Sequence, residues 1–275
     1  MTELRTALRH AASRLDAAGV ASPRADAELL LAYVLGVPRS RLLLLDSLSP
    51  SDAASFAAVI SRRAAREPLQ HITGAAPFLS LALAVGPGVF IPRPETEVLA
   101  QWGIEALSGS VAPTVVDLCS GSGALALAIA HARPDASVYA VEFSPAALDW
   151  LRRNASGYSN VEVVAADVRS SPLEALRGGV DLVVANPPYV PDAVGVPEEV
   201  RADPAVAVFA GADGLDLIPA VASLGADLLR SGGRIGIEHD ESHPEGVATI
   251  MSRYFRDVSG LADLAGRPRF TTARR

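Results

Sequence analysis

Lysine is absent from this chain. All 24 basic side chains are arginines and there are 31 acids, so the formal net charge is −7. Phosphate backbones are held by clustered positive charge, so this balance makes direct nucleic-acid binding a poor expectation. The missing lysines read as codon usage and not as chemistry. Cysteine is nearly absent as well. Cys119 is alone and can form neither an internal disulfide nor a cysteine-based metal cluster. No metal is expected, and a reducing cytoplasm is the default location. Long hydrophobic runs are missing too: no stretch approaches the ~18 uninterrupted apolar residues that a membrane helix needs. The opening, Met1-Thr2-Glu3-Leu4-Arg5, carries charges where a secretory signal would place its apolar run. Apolar material itself is plentiful. With 49% hydrophobic and 20% charged residues, the chain has enough to bury a core, which excludes a disordered tail protein. Its 275 residues suggest about two domains of ~150 residues each.

The first seventy residues read as helices. Leu4, Leu8, Ala11, Ala12 and Leu15 recur at helical spacing. Ser22-Pro23 starts a second helix, expected to carry Leu29, Leu30, Tyr33 and Val34 on one side and to stop near Gly36. Ser49-Pro50-Ser51-Asp52 repeats the start signal for a helix running to about Arg66, and Pro68 discourages continuation. Two arginine clusters, Arg62-Arg63-Arg66 and residues 267–275, are expected to be a solvated helix face and a soluble terminus. Residues 72–92 hold three glycines and three prolines around a partly alternating run, expected as a hairpin linker. Pro94 then opens a helix with Glu95 and Glu97 in its first turn, where acids suit the helix dipole.

From Thr114 the pattern changes to alternating strands and helices. Strands are expected at 114–118, 137–141, 161–164 and 180–185, and at 234–238 after a Gly232-Gly233 turn. Two more are expected near Val258 and Phe270. Such alternation predicts a mostly parallel, doubly wound sheet with helices on both faces. The expected organisation is a helical N-terminal domain over 1–71, a linker over 72–92 and an α/β catalytic domain over 93–275.

Between the first of these strands and its helix lies Asp117-Leu118-Cys119-Ser120-Gly121-Ser122-Gly123. Its glycines let the backbone turn sharply and approach a ligand, and the next helix presents free N–H groups at its start. Glu142 follows nineteen residues after Gly123, at the end of the next strand, where an acid can accept hydrogen bonds from both hydroxyls of a ribose. Asp167, after the third strand, suits the exocyclic amine of an adenine. Together these residues describe an adenosine-containing ligand, without choosing between a nicotinamide dinucleotide and S-adenosylmethionine.

Asn186-Pro187-Pro188-Tyr189 follows the strand 180–185 directly, beside that ligand. A planar amide NH2 is a poor nucleophile, and each of its hydrogens left unpaired in a dry site costs ~1–3 kcal/mol. The Asn186 side-chain oxygen and the Pro187 carbonyl are two acceptors at fixed separation. Holding both hydrogens turns the nitrogen's face toward an electrophile, here a sulfonium methyl. Two prolines stiffen the turn, and Tyr189 offers a flat surface for the carboxamide. Catalysis would be chiefly orientation and acceptor hydrogen bonds.

The chain resembles the HemK/PrmC family of protein-(glutamine-N5) methyltransferases, which modify peptide chain release factors. The resemblance covers nearly the whole length. It is carried by Pro68-Leu69-Gln70-His71-Ile72-Thr73-Gly74, Ile91-Pro92-Arg93-Pro94-Glu95-Thr96-Glu97 and the Asn-Pro-Pro-Tyr tetrapeptide. Gly211-Ala212-Asp213-Gly214-Leu215-Asp216 and Gly236-Ile237-Glu238-His239 follow in the family's order. It implies a class I S-adenosylmethionine-dependent methyltransferase fold, a seven-stranded, mostly parallel sheet, with a small all-helical N-terminal domain that helps grip the release factor. By this resemblance Asp117 and residues 119–123 line the cofactor site, with Cys119, Ser120, Gly121, Ser122 and Gly123 along the methionine part. Glu142 holds the ribose, and Asp167 and Val168 flank the adenine. Asn186 touches both cofactor and substrate, and Asn186, Pro187, Pro188 and Tyr189 receive the glutamine of a Gly-Gly-Gln motif in class 1 release factors. A cytoplasmic monomer is expected. Cys119 stands where the family often has glycine, Glu142 where aspartate is common, and Val168 where an aromatic residue is frequent. Asp240 and His243 interrupt the run after Glu-His. His131, His239 and His243 read as structural or surface residues, and Cys119 as a packing residue and not a nucleophile. An adenine-N6 methyltransferase shares the tetrapeptide but calls for a basic cleft, and a scaffold with a dead methyltransferase fold would not need Asn186, Pro187 and Glu142 intact.

Overall fold

The computed structural model describes residues 2–275, so Met1, the first residue of the charged opening, lies outside it. The chain divides into two compact units. One contains the residues up to Ala75 together with Val196–Ala202; the other contains Ala76–Gly195 and Asp203–Arg275. The return of Val196–Ala202 to the helical unit has no counterpart in the sequence pattern.

The helical unit is built from α1 (Leu4–Ala17), α2 (Pro23–Leu35), α3 (Pro50–Ala64) and α4 (Leu69–Thr73), with short strands β1 (Thr2–Glu3) and β2 (Ser47–Leu48) paired antiparallel. The Ser49 hydroxyl accepts from the Asp52 N–H at 3.1 Å and caps α3 as its spacing predicts. Gly36 ends α2 in the left-handed region at φ 63°. The buried face of α2 differs from the expected one. Ala27, Leu30 and Leu31 are buried, whereas Leu29 and Tyr33 are 39% and 49% exposed. Three consecutive leucines spread around more than half the helix, so periodicity leaves the face open; packing of α1 and α3 against α2 selects it.

The arginine cluster of α3 is also not a solvated face. Arg63 is only 6% exposed. Its Nε donates to Asp26 at 2.8 Å and its Nη2 to Glu199 at 3.0 Å. Arg66 donates to both oxygens of Glu199, at 2.9 and 2.6 Å. The partner acids lie 37 and 136 residues from Arg63, so no local spacing reveals them.

After the unit boundary at Ala75, the strands β3 (Ala75–Phe78) and β4 (Leu81–Ala84) form a two-stranded sheet. The second unit's main elements are α5 (Thr96–Ala106), β5 (Thr114–Leu118), α6 (Ala124–Ala132), β6 (Ser137–Glu142), α7 (Pro145–Ala155), β7 (Val161–Ala165) and β8 (Val180–Ala185). They continue with α8 (Ile218–Leu228), β9 (Leu229–Glu238), α9 (Pro244–Met251), β10 (Arg256–Ala262) and β11 (Pro268–Arg274). The helix expected from Pro94 starts at Thr96, with Pro94 and Glu95 in the preceding turn. The seven-stranded sheet has the order β10-β11-β9-β8-β5-β6-β7. Strands β7, β6, β5, β8 and β9 run parallel; β11 is antiparallel to both its neighbours.

Side chains alternate between two cores, one on each face of the sheet. Val115, Leu182 and Val184 enter the core beneath α5, α6 and α7; Val116, Leu118, Val183 and Ala185 enter the core that holds α8 and α9 residues. Burial on both faces explains the near-continuous apolar runs of β5 and β8. Two expectations are corrected on the β9 and β11 side of the sheet. Gly232-Gly233 is not a turn ahead of β9 but a bulge within it: Leu229 pairs with Val180 and Arg234 with Leu182, so the intervening residues loop out of register. The soluble terminus expected at 267–275 is instead largely β11, the strand expected near Phe270, held because Phe270, fully buried, pairs with Glu238.

Candidate active site

The strand order reverses at β5. From there the chain moves outward through β6 and β7, then returns to β8 on the other side. The carboxyl ends of β5 and β8 lie side by side at this switch point, with Leu118 paired to Ala185. The loops 119–123 and 186–189 therefore leave the sheet together, at the place where open α/β sheets bind ligands.

The first loop is tightly formed. Ser120 N–H donates to the Val141 carbonyl at 2.9 Å and Gly123 N–H to the Ser120 carbonyl at 2.7 Å. Cys119, Gly121 and Gly123 all have positive φ, at 65°, 56° and 92°. A Cβ on Gly121 would meet nothing within 4 Å, so open space lies beside this backbone. Asp117 is 1% exposed, and its Oδ2 accepts the Ala126 N–H at 3.1 Å, inside the first turn of α6. Burial, with some help from the Glu142 charge, pushes its pKa up to about 7 despite hydrogen bonds from Ser120 and Ala126. Asp117 thus acts as a helix cap beneath the loop. Burial and the neighbouring acids also push the Cys119 thiol up, which keeps it protonated and unsuited to nucleophilic attack.

Glu142 ends β6 and is 7% exposed. Its Oε2 accepts the Gly121 N–H at 2.9 Å, and its Oε1 accepts Phe143 and Ser144 N–H at 2.9 and 2.8 Å. A carboxylate has about four acceptor positions, so Oε2 keeps one free beside the loop. Asp167 accepts the Arg169 N–H and remains 41% exposed at its side chain, while Val168 is buried in the core of the α8 face.

At the second loop, Asn186 Nδ2 donates to Thr96 Oγ1 at 3.3 Å. Tyr189 donates its hydroxyl to Glu238 Oε1 at 3.1 Å. Glu238, at the end of β9, is fully buried, and its Oε2 has no close partner. Burial pushes its pKa up to about 7, with Glu95 adding to the rise; the Thr96 and Tyr189 hydroxyls and Arg269 pull the other way. Desolvation and the Glu238 charge raise the Tyr189 phenol, so it stays protonated.

Thr96 and Glu238 carry no assignment from the residue pattern. Both lie in segments quoted for the resemblance, and the signal available was an acid closing the apolar strand Ile235-Gly236-Ile237. Other members of segment 91–97 also have specific partners. Ile91 N–H donates to Asp203 at 3.1 Å, Arg93 pairs with the second oxygen of Asp203, and Glu97 accepts the Leu79 N–H at 2.8 Å. The turn after the tetrapeptide is fixed by Gly214, whose Cβ, if it had one, would lie 2.3 Å from the Tyr189 carbonyl oxygen. Among the described residues there is no group of three or more metal-ligating side chains, and no helix is long and apolar enough to cross a membrane.

Residues 6–74 match the PrmC N-terminal domain, and residues 85–200 match the methyltransferase small domain. A release factor glutamine methyltransferase of Mycolicibacterium smegmatis is 50% identical over 279 residues, covering 100% of this chain and 99% of the relative. One from Corynebacterium glutamicum is 49% identical over 280 residues and covers 100% of both chains. This chain belongs to the release factor glutamine methyltransferase family. Its fold is that of the class I S-adenosylmethionine-dependent methyltransferases. A T. thermophilus 16S rRNA methyltransferase solved with AdoMet and guanosine shares that fold, with a TM-score of 0.50 and 22% identity, covering 73% of this chain and 49% of that one. The switch point, where the glycine loop and the tetrapeptide leave the sheet side by side, is the candidate site for that activity.

Proposed function

We propose that this protein uses S-adenosylmethionine to methylate the side-chain amide nitrogen of the glutamine in the Gly-Gly-Gln motif of class 1 release factors, in the cytoplasm. The observation that carries this reading is the tether of Asn186. Its nitrogen is engaged by Thr96, which leaves Oδ1 as an acceptor. The cofactor fits the residues present: open space beside Gly121, a spare acceptor on Glu142 and an exposed carboxylate at Asp167. When bound, S-adenosylmethionine supplies a sulfonium methyl, an electrophile that needs no acid to activate it.

The chain's own residues then have four tasks. Glu142 holds the ribose through the one acceptor position left on Oε2, and Asp167 and Val168 bound the adenine. Asn186 Oδ1 and the Pro187 carbonyl each accept one N–H of the substrate carboxamide and fix its plane. Pro187 and Pro188 keep those acceptors at constant separation. Tyr189, its hydroxyl anchored, presents its ring as a wall. No group acts as a dedicated base, because the alkylated nitrogen is acidic enough to shed its proton unaided. The family's helical domain is assigned to gripping the release factor.

Mass spectrometry of a release-factor tryptic peptide, after incubation with enzyme and S-adenosylmethionine, should show one added methyl on that glutamine. Methyl incorporation into DNA or RNA with none into release factor would overturn the reading. Asn186→Ala should lower kcat by roughly 10- to 100-fold, the equivalent of one lost acceptor in a dry site, and should reduce cofactor affinity much less. Equal rates for variant and parent would contradict the role given to Asn186.

A further inference from the structure

The buried carboxylate of Glu238 has no part in the chemistry above, yet it reaches both ends of the tetrapeptide. It accepts Tyr189 directly at 3.1 Å. It is also faced by the Thr96 hydroxyl, whose oxygen accepts from Asn186 at 3.3 Å. Glu238 and Thr96 are 0% and 2% exposed, so neither is a surface group that met the site by chance. We propose that Glu238 is a positioning residue that sets the direction of a hydrogen-bond relay, and so decides which end of the Asn186 carboxamide faces the substrate. This inference rests on the reading of Asn186 as the acceptor for the glutamine amide.

The physical reason is the one-way character of a carboxylate. Ionised, it can only accept. The Thr96 proton therefore goes to Glu238, and the Thr96 oxygen is left to accept. Only the NH2 end of Asn186 satisfies that oxygen, so Oδ1 turns outward. The two ends of an Asn side chain have nearly the same shape, and nothing steric distinguishes them. If Glu238 carried a proton or an amide N–H, it could donate to Thr96 instead. Thr96 would then donate to Asn186 Oδ1, and the NH2 group would face the substrate's own N–H donors. A donor opposite a donor cannot bind. Tyr189 can follow either arrangement, because a phenol both donates and accepts.

The charged and titratable groups facing Glu238 are Tyr189 from the tetrapeptide loop, Glu95 from the turn before α5 and Arg269 from β11. Burial and Glu95 favour the protonated, relay-reversing form; Thr96, Tyr189 and Arg269 favour the ionised, productive one. With the two forms balanced at about pH 7, kcat should rise with pH through that point.

The test uses the full-length enzyme with release factor as acceptor and compares parent, Glu238→Gln, Thr96→Val and Thr96→Ser. Expected for Glu238→Gln is a kcat loss of about 10- to 100-fold, one hydrogen bond's worth, with calorimetric S-adenosylmethionine affinity within about threefold. The kcat rise near pH 7 should vanish. Thr96→Val should lose activity similarly, and Thr96→Ser, which keeps the hydroxyl, should recover most of it. The Thr96 pair serves if Glu238→Gln does not fold. Parent-like kcat in Glu238→Gln, the parent's pH profile surviving in it, or a Thr96→Ser as impaired as Thr96→Val would each overturn the relay. A parent that leaves release factor unmethylated would instead overturn the reading of the function, so the two failures are distinct.

Discussion

Cys119 has φ 65°, in the left-handed region that costs an L-residue ~1–2 kcal/mol. It stands in the loop that the site is built around, flanked by Gly121 and Gly123, which hold comparable angles without that cost. Cys119→Gly should therefore raise stability by about 1 kcal/mol, net of the extra freedom gained by the unfolded chain. Urea denaturation checks it: an unchanged or lower midpoint would mean that side-chain packing outweighs the strain. The positive φ also gives a physical basis for the glycine that the resemblance leads one to expect at this position. The signal was present in the sequence as a departure from pattern, but its energetic meaning needed the backbone angle. The positions of Glu142 and Asn186 were legible for a different reason. Each ends or follows a strand, and a strand end at a switch point has a fixed place in this fold.

Strands β5 and β8 were readable because a run buried on both faces must be apolar nearly throughout, and because glycine and proline punctuate the chain between runs. Element faces were less readable. The Leu29-Leu30-Leu31 run of α2 offers three candidates for two buried positions. The Gly232-Gly233 bulge looked like a turn because both need glycine, and only pairing register separates them. Gly214 shows a function of such positions. It has φ 74°, and an added Cβ would strike the backbone carbonyl of Tyr189. Gly214→Ala should displace the Tyr189 turn and cut kcat at least about tenfold, the cost of ~1.4 kcal/mol, while S-adenosylmethionine binding at the other loop persists. Full turnover by this variant, measured on release factor, would show that the turn tolerates the shift.

For the whole molecule, the buried acids determine how stability varies with pH. Glu238 and Asp117 have pKa values raised from 4.5 and 3.8 to about 7, chiefly by burial. The folded form holds their protons more tightly, so their contribution is fully present below about pH 4 and is lost as pH rises to about 7. Glu199 behaves in the opposite way. Burial opposes its ionisation, but its Arg66 and Arg63 partners prevail and lower it from 4.5 to about 2. Its contribution is present above pH 4.5 and is lost as pH falls toward 2. The urea midpoint should therefore peak near pH 4 to 5, decline toward pH 7 and level off beyond. Glu238→Gln should flatten the decline. A midpoint that climbs steadily from pH 4 to 8 would contradict these assignments.

Composition and order along the chain were enough for the doubly wound sheet, the helical beginning, the glycine loop and the tetrapeptide. These features are local: periodicity, punctuation and motif order act over a few residues, where covalent geometry already restricts the backbone. Tertiary structure alone decided what the buried polar groups do. Arg63 looked solvated until Asp26 and Glu199 arrived from distant parts of the chain. Glu238 looked like the last residue of a strand until Tyr189 and Thr96 converged on it. A charge taken out of water must find partners wherever the fold supplies them, and those partners have no fixed distance in sequence.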